Sequence, residues 1–251
     1  MATVSNRPPP SNQLLASLPI ADYDRLTATI DVIPLKLKEV VQRAGDPVQY
    51  VYFPGGGFLS VLTVLADGGR VEIATIGREG VSGLPAAMDG GDPSPSETLV
   101  QAEIDTCYRM SRTDFRREMS QRAVFYELVT KYMHAFYGVV AQSTACNAVH
   151  SVEQRLARWL LMAHDRVGRD DFPLTQEFVA MMLGATRPTV TIVAGTLQRA
   201  GLITYHHGHV TIVDREKLES ASCECYGAAT ALLKGVLQGS AFGTTGKPAG
   251  L

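Results

Sequence analysis

The segment from Phe172 to Val213, FPLTQEFVAMMLGATRPTVTIVAGTLQRAGLITYHHGHVTIV, constrains this chain more than any other. It predicts two short helices joined by a glycine turn, with a small hairpin after them. Counting from Gln176 as the first position of the unit, Ala180 is fifth, Gly184 ninth, Val190 fifteenth and Val193 eighteenth. Two helices that cross steeply need a small residue at the crossing and a turn residue that tolerates positive φ. Ala180 and Gly184 meet those needs, while Val179, Leu183, Val190 and Val193 form the apolar wedge between the helices. Thr175 stands where the N-cap of the first helix belongs. Pro188 falls in the first turn of the second, where its missing N–H breaks no intrahelical bond. Gly201 closes that helix, and Leu202–Val213 alternates as two strands about a His207-Gly208 turn.

Charge decides between a purely structural helical hairpin and a nucleic-acid reader. From Phe178 to Val213 there is no Asp or Glu, although the whole chain holds 25 of them in 251 residues. The same window carries Arg187, Arg199, His206, His207 and His209. A surface laid against phosphates excludes carboxylates, because like charges repel across the contact. The segment therefore reads as a winged helix-turn-helix. The residues expected to contact DNA are Thr175, Gln176, Thr186, Arg187, Thr189, Thr191, Arg199, His206, His207 and His209.

A chain of 251 residues has room for two domains with separate cores. A formal charge of −2 and 45% apolar content describe an ordinary soluble protein. Its apolar runs fall short of a membrane span, and its polar, proline-rich start MATVSNRPPPSNQ lacks a signal-peptide pattern. The four cysteines, spread from 107 to 225, make no disulfide framework and suit a reducing cytoplasm. A cytoplasmic protein without a membrane partner is the expectation.

Residues 1–11 are expected to be a disordered tail stiffened by Pro8-Pro9-Pro10, and 12–29 one or two short helices burying Leu14, Leu15, Leu18 and Leu26. From Ile30 to Met110 the period changes to two. IDVIPL, VQYVYF, GFLSVLTVL, GRVEIATIG and TLVQAEIDTCYRM are separated by glycine-rich turns, the rhythm of a closed antiparallel β-barrel or jelly roll. A metalloenzyme on that scaffold needs imidazoles inside it, yet residues 1–133 hold no histidine and one cysteine, Cys107. A helical run over 113–147 follows. In it Phe125, Val129, Tyr132, Phe136, Val139, Ser143 and Cys146 recur at alternating steps of four and three, an a/d seam. That seam is expected to pair with the same helix of a second subunit, giving a homodimer. Asn147–His150 reads as a hinge, and Ser151 with Gln154 as a capping box.

Taken together, SVEQRLARWLL, LTQEFVAMMLGATRPTVTIVAGTLQRAGLI and, more weakly, GREGVSGL resemble the Crp/Fnr family of bacterial transcription regulators. The resemblance implies an α+β chain in five parts. These are a tail (1–11), a cyclic-nucleotide-binding-like sensor barrel (12–112), a dimerisation helix (113–147), a winged helix-turn-helix domain (148–226) and a C-terminal extension (227–251). It implies double-stranded DNA as partner, a small-molecule effector, and RNA polymerase as a further partner to consider. Where such proteins bind cyclic nucleotides, a glutamate meets the ribose, and an arginine and a small hydroxyl residue meet the phosphate. The corresponding stretch here, GVSGLPAAMDGGDPSPSETLV, has no arginine and is made acidic by Asp89, Asp92 and Glu97. A buried phosphate without a cation loses too much hydration, and Thr98 alone cannot replace one. Arg78 precedes the loop and reads as a surface turn residue. The sensor is therefore not expected to be gated by cyclic AMP.

Other cofactors find no set of ligands. With no cysteine before Cys107, an N-terminal iron–sulfur cluster is excluded. For a haem ligand only Cys107 and His134 offer themselves, and both read as packing residues. Cys223-Glu224-Cys225 lies near the wing histidines but lacks zinc-finger spacing and reads as reduced surface thiols, so neither metal nor cofactor is expected. Nothing resembles a nucleophile elbow, a phosphate loop or paired catalytic carboxylates. The competing function is a ligand-binding module that works through protein partners rather than DNA. In the cyclic-AMP receptor pattern Arg, Glu and a second Arg read the half-site. Only Arg187 remains here; Pro188 and Ile192 take the other places, so a half-site other than TGTGA is expected.

Overall fold

The computed structural model of the protein describes residues 9–84, 93–121 and 123–238. The alternating region forms two antiparallel sheets. One has the order β1-β7-β3, from Ile30–Leu35, Ile104–Ser111 and Tyr50–Pro54. The other has the order β2-β6-β4-β5, from Val40–Gln42, Glu97–Ala102, Phe58–Val64 and Arg70–Ile76. This is a jelly-roll-like pair of facing sheets rather than a closed barrel, because no ladder joins the two among the described residues. The stretch read as one strand over 98–110 is two, β6 and β7, with the chain turning at Glu103. Gly57, in the turn between β3 and β4, packs against that corner. A Cβ there would stand 2.3 Å from the Glu103 carbonyl oxygen, and its φ of +54° favours glycine.

Helices α1 (Gln13–Ala16) and α2 (Ile20–Leu26) lie where the leucine pattern put them, with Leu14, Leu15, Leu18 and Leu26 buried. The expected tail is ordered at its end. Pro10 is buried, and the Ser11 N–H donates to the Tyr108 hydroxyl at 3.0 Å. Residues 1–8 and 239–251 lie outside the described residues, as do Asp89 and Asp92.

The expected helical run over 113–147 is two helices, α3 (Arg112–Ser120) and α4 (Val124–Val149). The proposed seam on α4 faces inward. Phe125, Val129, Tyr132, Val139, Ser143 and Cys146 are buried within the single chain, and Phe136 is half-buried. Phe125 packs edge-on against Phe115 at 5.9 Å, and Tyr132 stacks on Phe136 at 5.8 Å. Six of these side chains are thus spent on the protomer's own core, and only Phe136 keeps part of its surface open. Part of the cover is helix α9 (Cys225–Gln238), which runs along α4. At Gly138 a Cβ would meet Leu232 at 3.0 Å, so the two helices approach closely there. The side of α4 left open carries Thr130, His134, Tyr137, Ala141 and Thr144, all exposed.

The C-terminal domain begins with α5 (Val152–Val167), whose capping box between Ser151 and Gln154 forms as expected. Strand β8 (Asp171–Pro173), helices α6 (Gln176–Leu183) and α7 (Arg187–Arg199), and hairpin β9–β10 (Ile203–His206, His209–Ile212) follow, then α8 (Arg215–Ala221). Leu156, Leu160, Val179, Leu183, Val190, Leu197 and Val210 share its core with each other. Burying one such leucine stabilises the fold by about 1.5–3 kcal/mol.

Trp159, buried in this core, also ties the domain to the sensor. Its ring meets Phe58 of β4 edge-on at 5.9 Å, and its Nε1–H donates to Glu72 of β5 at 2.8 Å. Burial pushes the Glu72 carboxyl up to about 7, although bonds from Ser60 and Trp159 and the nearby arginines pull the other way. No single helix among the described residues is long and apolar enough to cross a membrane.

Candidate functional site

The directions of α6 and α7 differ by 103°, within the range that sets a second helix into a groove of DNA. Local chemistry makes this corner. The Thr175 side chain accepts from the Phe178 N–H and starts α6, and Gly184 ends it in the left-handed region at φ +57°. Thr186 caps α7 by accepting from the Thr189 N–H, and Pro188 sits in its first turn. Ala180 lies at the crossing, half-buried, and Val193 packs at the edge of the wedge. In the wing, His207 and Gly208 both take positive φ, +48° and +79°, as a tight two-residue hairpin turn requires. The Gly208 carbonyl accepts from the Leu174 N–H at 2.7 Å, which fastens the wing beside the start of α6.

Ten residues were expected at the DNA surface, and they fall into two groups. Arg187, Thr191, Arg199, His206 and His209 are exposed, as are His207 and Thr186. Thr175, Gln176 and Thr189 are half-buried and serve the scaffold as well. Thr191 illustrates the overlap: its hydroxyl donates to the Arg187 carbonyl at 3.0 Å and lies 3.2 Å from the Gln176 side-chain oxygen. Ile192 is 68% exposed on the same helix, which leaves an apolar group available to a thymine methyl.

The acid-free window does not stay acid-free in space. Glu177, just before it, pairs with Arg187 at 3.0 Å, and Asp171 lies 3.5 Å from His209. Both pairs are exposed and so worth roughly 0–1 kcal/mol each, too little to withhold either cation from a phosphate or a base. Sequence separation hid them, since Asp171 reaches His209 only across the β8–β10 ladder.

Between the β2-β6-β4-β5 sheet and α4 lies a cavity of about 340 Å³, lined by Val61, Ile73, Ile76, Val81, Leu84, Thr98, Met133, Phe136, Tyr137 and Val140 among others. No charged side chain lines it among the described residues. Thr98 and the serines at 82, 94 and 96 are its polar points, with Gln42. Arg78 is exposed and borders a different cleft with Gln13, Arg166 and Tyr226, as its reading as a surface residue required. Glu97 is buried but turned to Arg70 at 3.3 Å.

Of the two haem candidates, Cys107 is fully buried and its thiol is pushed up to about 12 by burial, which makes it an inert packing group. His134 is exposed, so its expected packing role is corrected. The expectation of surface thiols fails also: Cys223 and Cys225 are buried, at 3% and 1% exposure. They lie beside Cys146 and His150 rather than beside the wing histidines.

A two-sheet domain with a cavity between one sheet and a long helix, and a winged helix-turn-helix beyond, define a class, the DNA-binding transcription regulators with a sensor domain. Residues 32–122 match the family described as cyclic nucleotide-binding domain, and residues 154–221 the Crp-like helix-turn-helix domain. The chain belongs to the Crp/Fnr family of transcription regulators. Among solved structures, a Crp-family regulator from Thermus thermophilus is similar at a TM-score of 0.62 and 20% identity, over 76% of this chain and 96% of that one. A Crp/Fnr-family protein from Eubacterium rectale gives 0.63 at 19% identity, over 83% and 96%. FixK2 from Bradyrhizobium japonicum gives 0.59 at 17%, over 77% and 98%. At these identities the likeness carries the fold alone. No curated protein matches the chain.

Proposed function

We propose that this regulator acts as a homodimer on palindromic DNA and that its sensor takes an uncharged effector rather than cyclic AMP. The observation that carries the reading is the exposed face of α7, where Arg187, Thr191 and Ile192 stand free of the domain core. Two such helices related by a two-fold axis read half-sites one helical turn apart, about 34 Å. Selection from random DNA tests this directly. Paired half-sites other than TGTGA are expected; no enrichment would favour the alternative in which the domain engages protein partners, and RNA polymerase would then be the first to assay.

For the dimer contact the open stripe of α4 replaces the buried seam. Thr130, His134, Tyr137, Ala141 and Thr144 again alternate steps of four and three, and they are exposed. Ala141→Glu places an unpaired charge where two small residues would meet, a cost of about 3–5 kcal/mol. Sizing should find this variant monomeric with its fold intact. A dimer of unchanged stability would move the contact elsewhere.

The cavity supports the second half of the proposal. A cyclic phosphate enclosed by valine, isoleucine and phenylalanine, with hydroxyls but no cation among the described residues, is a desolvated charge without a partner. Cyclic AMP should therefore leave the melting temperature unchanged. A ligand at a hundredfold its Kd adds about 2.7 kcal/mol, roughly 5 °C or more for a chain of this size. A shift of that order with cyclic AMP would overturn the reading of the cavity.

A further inference from the structure

The hinge after α4 holds a group of side chains that the DNA and effector readings do not use. Cys146 and His150 are one turn apart at the end of α4, four residues along and so on one face. Cys223 and Cys225 flank the start of α9, which comes back along α4. The Cys146 and Cys223 sulfurs are 3.5 Å apart, and the Cys225 sulfur is 3.6 Å from Nδ1 of His150. All four donor atoms lie within 4.8 Å of one another. A tetrahedral zinc ion with Zn–S of about 2.3 Å and Zn–N of about 2.0 Å sets its ligand atoms about 3.5–3.8 Å apart. The group already has the dimensions of a single-ion site.

We propose that Cys146, His150, Cys223 and Cys225 bind one structural zinc ion that pins the C-terminal helix to the hinge between sensor and DNA-binding domain. Three thiolates and one imidazole are the donors that select zinc in a closed, four-ligand site. A two-iron cluster would hold its ligand pairs farther apart than these atoms stand. The surroundings fit a metal as well. His150 turns its second nitrogen, Nε2, to Glu224 at 3.2 Å, the outer carboxylate that fixes a metal-binding imidazole. Gln142 Nε2 donates to the Cys225 sulfur at 3.0 Å. Zinc with three thiolates and a neutral histidine carries a single negative charge. The Arg155 and Arg158 guanidiniums lie close enough to Cys146 to act on it electrostatically, and the Nε–H of each is buried without a hydrogen-bond partner. Binding replaces three S–H bonds by three Zn–S bonds and releases three protons to solvent. No oxidant or reductant is involved, and the site does not depend on which DNA the protein reads.

The experiment uses the full chain, purified without affinity tag or chelator in a reducing buffer, then incubated with zinc chloride and dialysed. Elemental analysis should find one zinc per chain. Cobalt(II) put in its place should give the visible absorption of a tetrahedral thiolate site, a readout that needs no variant. Cys223→Ser together with Cys225→Ser should abolish both signals, and His150→Cys should retain them. Zinc at trace level in the wild-type chain, iron with a coloured cluster, or a Cys146–Cys223 disulfide recovered from the reduced preparation would each overturn the proposal.

Discussion

Arg187→Ala is expected to weaken operator binding by about 1–3 kcal/mol per half-site, roughly fivefold to over a hundredfold, and to relax preference at one base pair only. Arginine reaches the O6 and N7 edge of guanine with two parallel N–H donors, and alanine leaves that edge unread. In the free protein the guanidinium rests on Glu177 at 3.0 Å. Giving up that exposed pair costs at most about 1 kcal/mol, so the base contact wins and the net loss remains large. Arg199→Ala and His206→Ala should instead weaken all sequences alike, because contacts to phosphate position the protein without reading sequence. Selected motifs are the measurement. An unchanged motif after loss of Arg187, or enrichment of TGTGA half-sites, would remove this residue from the reading head.

Arg166→Ala should lower stability by about 3–5 kcal/mol, roughly 10 °C in melting temperature. Arg166 stands on α5, and its side chain is almost wholly buried, as is most of its partner Glu79 in the sensor domain. Its Nε and Nη2 both donate to one Glu79 oxygen, at 3.0 and 2.7 Å, and its Nη1 donates to the Met162 carbonyl at 2.9 Å. Removing the arginine leaves an enclosed carboxylate whose remaining donor is the Gly77 N–H at 3.0 Å. Glu79→Gln combined with Arg166→Met removes both charges and should recover part of the loss, which separates a stranded charge from lost packing. A loss below about 1 kcal/mol for the single variant would mean that water replaces the guanidinium freely.

The sequence by itself determined whatever depends on near neighbours. The Thr175 cap, the Gly184 corner, Pro188 in the first turn of α7 and the His207-Gly208 turn each follow from the conformational range of one residue beside its immediate partners. The capping box at Ser151 is of the same kind, and so is the two-residue rhythm of the sensor strands, apart from β2, whose three residues are too few to show a period. Tertiary structure decided what those faces meet. Heptad spacing on α4 identified residues that share a side, from Phe125 to Cys146, but their spacing is the same whether a second subunit or the protomer's own sheets and α9 cover them. It likewise carried no sign that Asp171 would sit beside His209. The four donors at the hinge make the point most sharply. Cys146 and Cys223 are 77 residues apart, and only the return of α9 along α4 brings their sulfurs within 3.5 Å. Local propensity is written in a few adjacent residues, whereas a contact between distant segments is fixed by the path of the whole chain.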